Sequence, residues 1–289
     1  MPRLLKPLIS IWVVAMVASC SPMAQPPASN APAATMNAAA APLDYTPGQN
    51  QTVALPKAVT LDLVWIAPGS FTMGSPLSEA NSCDWEHPQT MVTISKGFWM
   101  GKMLVTQGQY QAVIGSNPSQ FVEAGTNAPV ETVSWDDAMA FCRKLTEQER
   151  AAGRLPQGYV FTLPTEAQWE YACRAGTTGP RYGNLDDIGW DNSNGEDPTH
   201  PVGQKKPNAF GLYDMIGNVW EWCSDWWSDR LPGGKVTDPI GLASGTFRVG
   251  RGGGWIGDLA NCRAAYRFWF TPTFRYHHLG FRVALAPTR

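Results

Sequence analysis

Glycine, proline and tryptophan constrain this chain most: they supply 28, 24 and 13 of its 289 residues. Glycine and proline interrupt regular elements. Each tryptophan needs a large apolar site. That mixture is wrong for a helical bundle. With 44% of residues hydrophobic and only 16% charged, the chain suits a loop-rich fold of short strands, turns and aromatic clusters. The apolar material suffices for one large core or two small ones.

The amino-terminal end reads differently. Arg3 and Lys6 precede a short apolar run from Leu8 to Ala18, too short to span a bilayer comfortably. Val17-Ala18-Ser19-Cys20 then looks like a bacterial lipobox, so residues 1–20 are expected to be a lipoprotein signal peptide and Cys20 the lipidated residue. Two or three acyl chains would anchor the protein to the membrane. Ser21, where an Asp would retain an enteric-type lipoprotein, points to the outer membrane, on its periplasmic or surface face. Residues 21–58, rich in Ala, Pro and Ser, are expected to be a disordered tether. Without Arg3 and Lys6, 20 basic residues face 24 acidic ones, which excludes a basic nucleic-acid surface.

Residues 59–289 read as one domain. "LDLVWIAPGSFTMGS" predicts strand, Pro-Gly turn and strand, and "TMVTISKGFWMGKMLVT" two further strands about Lys96-Gly97. Thr106 is placed to cap a helix. Ser134 with Asp137, and Thr165 with Gln168, form capping boxes. Behind Ser134, Trp135, Ala138, Met139, Cys142 and Leu145 recur at helical spacing. The second box opens a helix that stops at Gly176, in which Glu170 and Arg174 can pair at i,i+4. Beyond Gly176, loops and short strands are expected.

Six stretches then fall into a series: "PGSFTMGS" (68–75), "PVETVSWDDAMAFC" (129–142), "LPTEAQWEYACRAG" (163–176), "HPVGQKKPNAFGLYDMIGNVWEWCSDWW" (200–227), "RGGGW" (251–255) and "LGFRVA" (279–284). In order and spacing the series resembles the formylglycine-generating enzyme family, also called the sulfatase-modifying factor domain, over roughly residues 60–286. The resemblance implies that family's variant of the C-type-lectin-like fold, with little regular secondary structure. It also implies a structural calcium loop at Asp214, Ile216, Asn218 and Glu221, where hard oxygens gather around Gly217. Capping of loops by Asn218 and Glu221 is the plainer alternative. His200 is expected to be hydrogen-bonded and structural, and Arg282 to pair inside the fold.

Family enzymes oxidise a substrate cysteine to formylglycine with two cysteines a few residues apart, a soft pair that suits Cu(I). Aligning "RGGGW" on the family strand puts Gly254 on its serine, Gly257 on its first cysteine, Asp258 on its histidine and Cys262 on its second cysteine. Copper is therefore not expected, nor formylglycine chemistry by the family route. Three readings of Cys262 stay open: a lone catalytic or copper-ligating thiol, a disulfide with Cys223, or a buried thiol acting as a small hydrophobe.

What remains is an aromatic surface. Trp255, Ile256, Asp258, Phe268, Phe270, Phe274 and Tyr276 are the expected ligand cleft, with His277 and His278 adjacent. The first expectation is an envelope-anchored protein that binds a protein, peptide or glycan there. A diverged metal-dependent oxidase or maturation enzyme, for formylglycine or for siderophores, is the second. A lipoprotein whose carboxy-terminal segment is diversified by a retroelement to display ligands is the third.

Overall fold

The structure is a computed structural model and describes residues 45–194, 199–256 and 259–288. The signal peptide, Cys20, Gly257 and Asp258 lie outside the described residues.

The ordered chain opens with β1 (Gln51–Ala54), β2 (Thr60–Ile66), β3 (Gly69–Met73), β4 (Thr90–Ile94) and β5 (Phe98–Gly101). Helices α1 (Gln107–Ile114) and α2 (Trp135–Ala151) follow, then β6 (Tyr159–Thr162), α3 (Glu166–Arg174) and the single turn α4 (Leu185–Ile188). The remainder supplies β7 (Trp220–Trp226), β8 (Lys235–Thr237), β9 (Arg248–Arg251), β10 (Arg267–Phe270), β11 (Leu279–Gly280) and β12 (Ala284–Pro287). All three expected helix starts carry a reciprocal capping box, Thr106 with Gln109, Ser134 with Asp137 and Thr165 with Gln168. Helix α3 ends through Ala175 and Gly176, both at positive φ.

β1 lies inside the stretch whose composition suggested a tether to residue 58. It pairs antiparallel with β2, with Val53 buried, so order begins earlier than expected. Burial of Val53 and Leu55 in the core outweighs the polar, proline-rich flanks.

The strands form three sheets, ordered β1-β2-β5-β12-β6, β10-β9-β7-β11 and β3-β4-β8. β2 and β3, joined by the Pro-Gly turn, do not pair with each other. Nor do β4 and β5. Each turn hands the chain from one sheet to another.

The five-stranded sheet is apolar on both faces. Leu61 and Leu63 of β2, Trp99 of β5 and Leu285 of β12 point into one core with α1 and α2. Val64, Ile66, Phe98, Met100, Ala284 and Ala286 point into a second core with α3. That is the two-residue alternation of a strand read twice. Each fully buried Leu, Ile or Phe contributes about 2–3 kcal/mol.

Charge inside the fold is matched. Glu166 takes Arg267 at 2.5 and 2.8 Å and Arg251 at 3.2 Å. Glu170 takes Arg174 at 2.9 Å, the Gly74 amide at 2.8 Å and Arg251. Burial alone would raise the Glu170 carboxyl, but Arg174 and Arg251 hold it below the usual carboxylate range. Arg263 gathers Glu79, Glu86 and the Asn81 carbonyl at 2.6–2.8 Å. These pairs tie α3 and the 79–86 loop to β9, β10 and the segment between them.

Candidate functional site: an aromatic face beside a glycine strand

β9 runs into Gly252 and Gly253, whose φ angles of 94° and 75° favour glycine. The turn bonds its neighbours through backbone: Gly217 N–H donates to Gly252 O at 2.9 Å and Trp255 N–H to Asn218 O at 2.8 Å. There is no space for side chains. A β-carbon on Gly252 would meet Trp169 at 3.2 Å, and one on Gly254 would meet Trp220 at 3.1 Å.

Cys262 packs under this turn, 2% exposed, and its carbonyl accepts from Arg181 Nε at 2.6 Å. Cys223 is buried in the same core. No disulfide forms among the described residues, and Cys223 and Cys262 are not bridged. Of the three readings, the buried thiol matches this geometry. Burial also pushes the Cys223 thiol far up and that of Cys173 to about 12, which disfavours thiolates in this core.

Side chains of the expected calcium set are engaged by other protein groups. Asn218 is spent on the His200 backbone, donating to its carbonyl at 3.0 Å and accepting from its amide at 3.4 Å. Glu221 is held by Arg282 at 2.7 and 2.9 Å. Ile216 is buried against Gly189, where a β-carbon would lie 2.5 Å from the Ile216 carbonyl oxygen. Asp214 accepts from the Gly203 amide at 2.7 Å and keeps one buried oxygen without a partner among the described residues. Ca²⁺ takes six to eight oxygens, so backbone carbonyls of the loop would have to supply most of a shell here. No group of three or more His, Cys, Asp or Glu side chains suited to a metal occurs among the described residues. Arg282 places a buried positive charge on Glu221 of this loop.

Of the expected cleft residues, Trp255, Phe268, Phe270, Phe274 and Tyr276 are linked through ring contacts, while Asp258 lies outside the described residues. Phe268 and Phe270 of β10 pack over Trp220, with ring centroids 5.7 and 6.0 Å away. Phe274 stacks on Phe270 at 5.5 Å and Tyr276 on Phe274 at 5.6 Å. Tyr276 meets His277 at 4.3 Å, and His277 meets Trp255 at 5.7 Å. On the other side of β10, Trp269 meets Trp227 at 4.8 Å and Trp85 at 5.6 Å. Phe274 and Tyr276 are 38% and 39% exposed and Ile256 is 40% exposed, while Trp255, Phe268 and Phe270 are half-buried.

Phe121 joins this strip edge-on to Trp255 at 5.9 Å and to His277 at 5.5 Å. It comes from the loop after α1, with no signal in the sequence around it to announce the role. Glu131, fully buried, connects the two walls. It accepts from the Phe121 amide at 2.8 Å and from the Thr132 hydroxyl at 2.5 Å. Thr132, at φ 61°, donates its amide to Tyr276 O at 3.0 Å. A β-branched residue in the left-handed region is strained. Arg275 then locks the segment to α2 through Asp137 at 2.9 and 3.0 Å. Burial, aided by His277, lowers His278 to about 4, so it is neutral at neutral pH. The result is an aromatic strip, tied by hydrogen bonds to the segments beneath it, that can stack on flat apolar groups.

The comparisons agree with this architecture. A family model described as "Sulfatase-modifying factor enzyme 1-like domain" matches residues 49–287. The formylglycine-generating enzyme of Mus musculus is 37% identical over 187 residues, 58% of this chain and 46% of the mouse protein. The chain thus matches less than half the length of that relative. The structure of the Treponema denticola variable protein 1 superposes with a TM-score of 0.73 at 32% identity, covering 84% of this chain and 100% of that one. That of PvdO from Pseudomonas aeruginosa gives 0.70 at 27%, covering 83% and 98%. The fold is therefore the α+β, C-type-lectin-like fold of these neighbours. From its sequence motifs, its fold and the span of the family match, the chain belongs to the formylglycine-generating enzyme, or sulfatase-modifying factor, family.

Proposed function

We propose that this protein is an envelope-anchored recognition module that binds a protein, peptide or glycan on its aromatic face and does not make formylglycine. The observation that carries the reading is the strip from Phe121 through Trp255, His277, Tyr276 and Phe274 to Phe270, stacked, partly exposed and braced from below by Glu131. Such a surface offers contact area at low entropic cost. Cys262 supports the second half: it is buried under Gly253, and Gly257 replaces the cysteine that would pair with it. The lipobox at Cys20 supports the anchoring.

The test has two arms. A substrate peptide is incubated with the copper-loaded protein and analysed for conversion of cysteine to formylglycine; no turnover is expected, and robust turnover overturns the reading. Glycan and peptide arrays are probed with the native chain and with Tyr276→Ala and Trp255→Ala. Ligands lost in both variants support the face; ligands bound equally by all three chains refute it.

The likeness to the whole of variable protein 1 favours a second reading, in which the same face is a diversified display surface. A near-repeat of the gene's 3′ end beside a reverse transcriptase gene is the genomic observation that decides it.

A further inference from the structure

A separate cavity of about 360 Å³ opens on the side of the molecule where β8 and the loop following it cover β4 and the start of α3. Its volume is at the low end of small-molecule sites. Much of the wall is aliphatic, with Met73, Val92, Leu231 and Val236 inside and Ile240 and Leu242 at the lip, and Trp226 also lines it. The lip residues are 52% and 50% exposed, more than an apolar side chain gains by if nothing covers it.

Four charged residues line the cavity: Glu166, Asp225, Arg267 and Arg230. Three are committed to the protein. Glu166 and Arg267 bond each other in the bidentate pair described above. Asp225 accepts from the Glu166 amide at 2.9 Å and the Ser224 hydroxyl at 3.0 Å, which places its carboxylate on the amino-terminal end of α3. Arg230 differs. It is exposed, and its guanidinium makes no hydrogen bond or ion pair among the described residues. The cavity is thus an aliphatic chamber whose one uncommitted charge is a guanidinium, a group that pairs with carboxylates in bidentate fashion.

We infer that this cavity binds a free aliphatic monocarboxylate of medium chain length, with the alkyl chain among Met73, Val92, Leu231 and Val236 and the carboxylate on Arg230. This site is independent of the aromatic face. Its size selects a small molecule over a protein segment, and Met73, Val92, Leu231 and Val236 give a flexible alkyl chain an aliphatic surface to lie on.

Isothermal titration of the purified full chain with octanoate, octanol and octylamine tests the assignment, with Ile240→Trp in the same buffer as the blocked-mouth control. Saturable octanoate binding with a dissociation constant below about 1 mM is expected, about tenfold tighter than octanol and absent for octylamine. Arg230→Ala should weaken octanoate about tenfold and leave octanol unchanged. Both substitutions are at exposed positions, and unchanged melting temperatures confirm that the variants are folded. Tyr276→Ala should bind octanoate like the native chain, so failure of the aromatic-face reading does not touch this one. The inference is overturned by any of four results: no saturable binding, equal octanoate affinity in native and Arg230→Ala chains, preference for octylamine, or tighter binding of a peptide with an aliphatic carboxy-terminal residue than of octanoate.

Discussion

Gly253 lies so close to Cys262 that a β-carbon on the glycine would sit 2.9 Å from the thiol sulfur. The thiol is a packing partner of the glycine turn. Any side chain at 253 must displace it, and must also accept a φ of 75°. Gly253→Ala is expected to destabilise the fold by about 2–4 kcal/mol, the sum of left-handed strain and overpacking. Adding Cys262→Ala should restore part of that loss. A denaturant-unfolding double-mutant cycle reads the coupling; strict additivity would show that the contact carries no energy.

Thiol labelling checks the same geometry chemically. Cys142, Cys173, Cys223 and Cys262 are buried, whereas Cys83 is only partly so. Burial raises the Cys83 thiol too, so even this site should react slowly. Brief alkylation of the native protein followed by peptide mapping should place label on Cys83 and on none of the other four. Early labelling of Cys262 would reopen a catalytic role for it.

The Glu221–Arg282 pair makes a prediction about metal. If Arg282 supplies the charge on this carboxylate, chelation by EDTA leaves the melting temperature unchanged. Glu221→Gln strands a buried guanidinium and should cost about 3–5 kcal/mol with or without added calcium. Calorimetric melts in EDTA and in calcium check both halves; a calcium-dependent rise in melting temperature would contradict the assignment.

His278 links stability to pH. Its folded value, about 4, lies below the ordinary imidazole value of 6.5. Between these values the unfolded chain carries a proton that the folded one lacks, so stability rises with pH across the window and is lost as pH falls from about 6.5 towards 4. Above 6.5 the contribution is constant. Thermal melts of the native chain and of His278→Gln over this range should show a shallower acid-side slope in the variant. Parallel slopes would show that His278 does not titrate in this window.

How much of this was legible in the sequence depends on how local each signal is. The helices were legible because a capping box is a conversation between residues three apart, and Thr106, Ser134 and Thr165 need no distant partner. The strands were legible as strands, but not their pairing. Nothing within "IAPGSF" says that β2 and β3 belong to different sheets, because the pairing is decided by β5 and β4 further along the chain. The aromatic crowd after residue 268 was visible. Phe121 was not, since its place depends on a bond to Glu131 that only the folded chain makes. The oxygen-rich loop at 214–221 was legible as a set of possible ligands, but the bonds that Arg282 and His200 make to Glu221 and Asn218 from outside the loop were not.

The five-stranded sheet has a temporal consequence. β12, the last strand described, does not lie at an edge; it sits between β5 and β6 and hydrogen-bonds to both. Until those few residues leave the ribosome, β5 and β6 each present an unpaired edge, and the two apolar cores lack the strand that divides them. The nascent chain therefore cannot complete its architecture domain-half by domain-half. It has to hold open strand edges, the element most prone to pairing with a neighbour's, until β12 arrives.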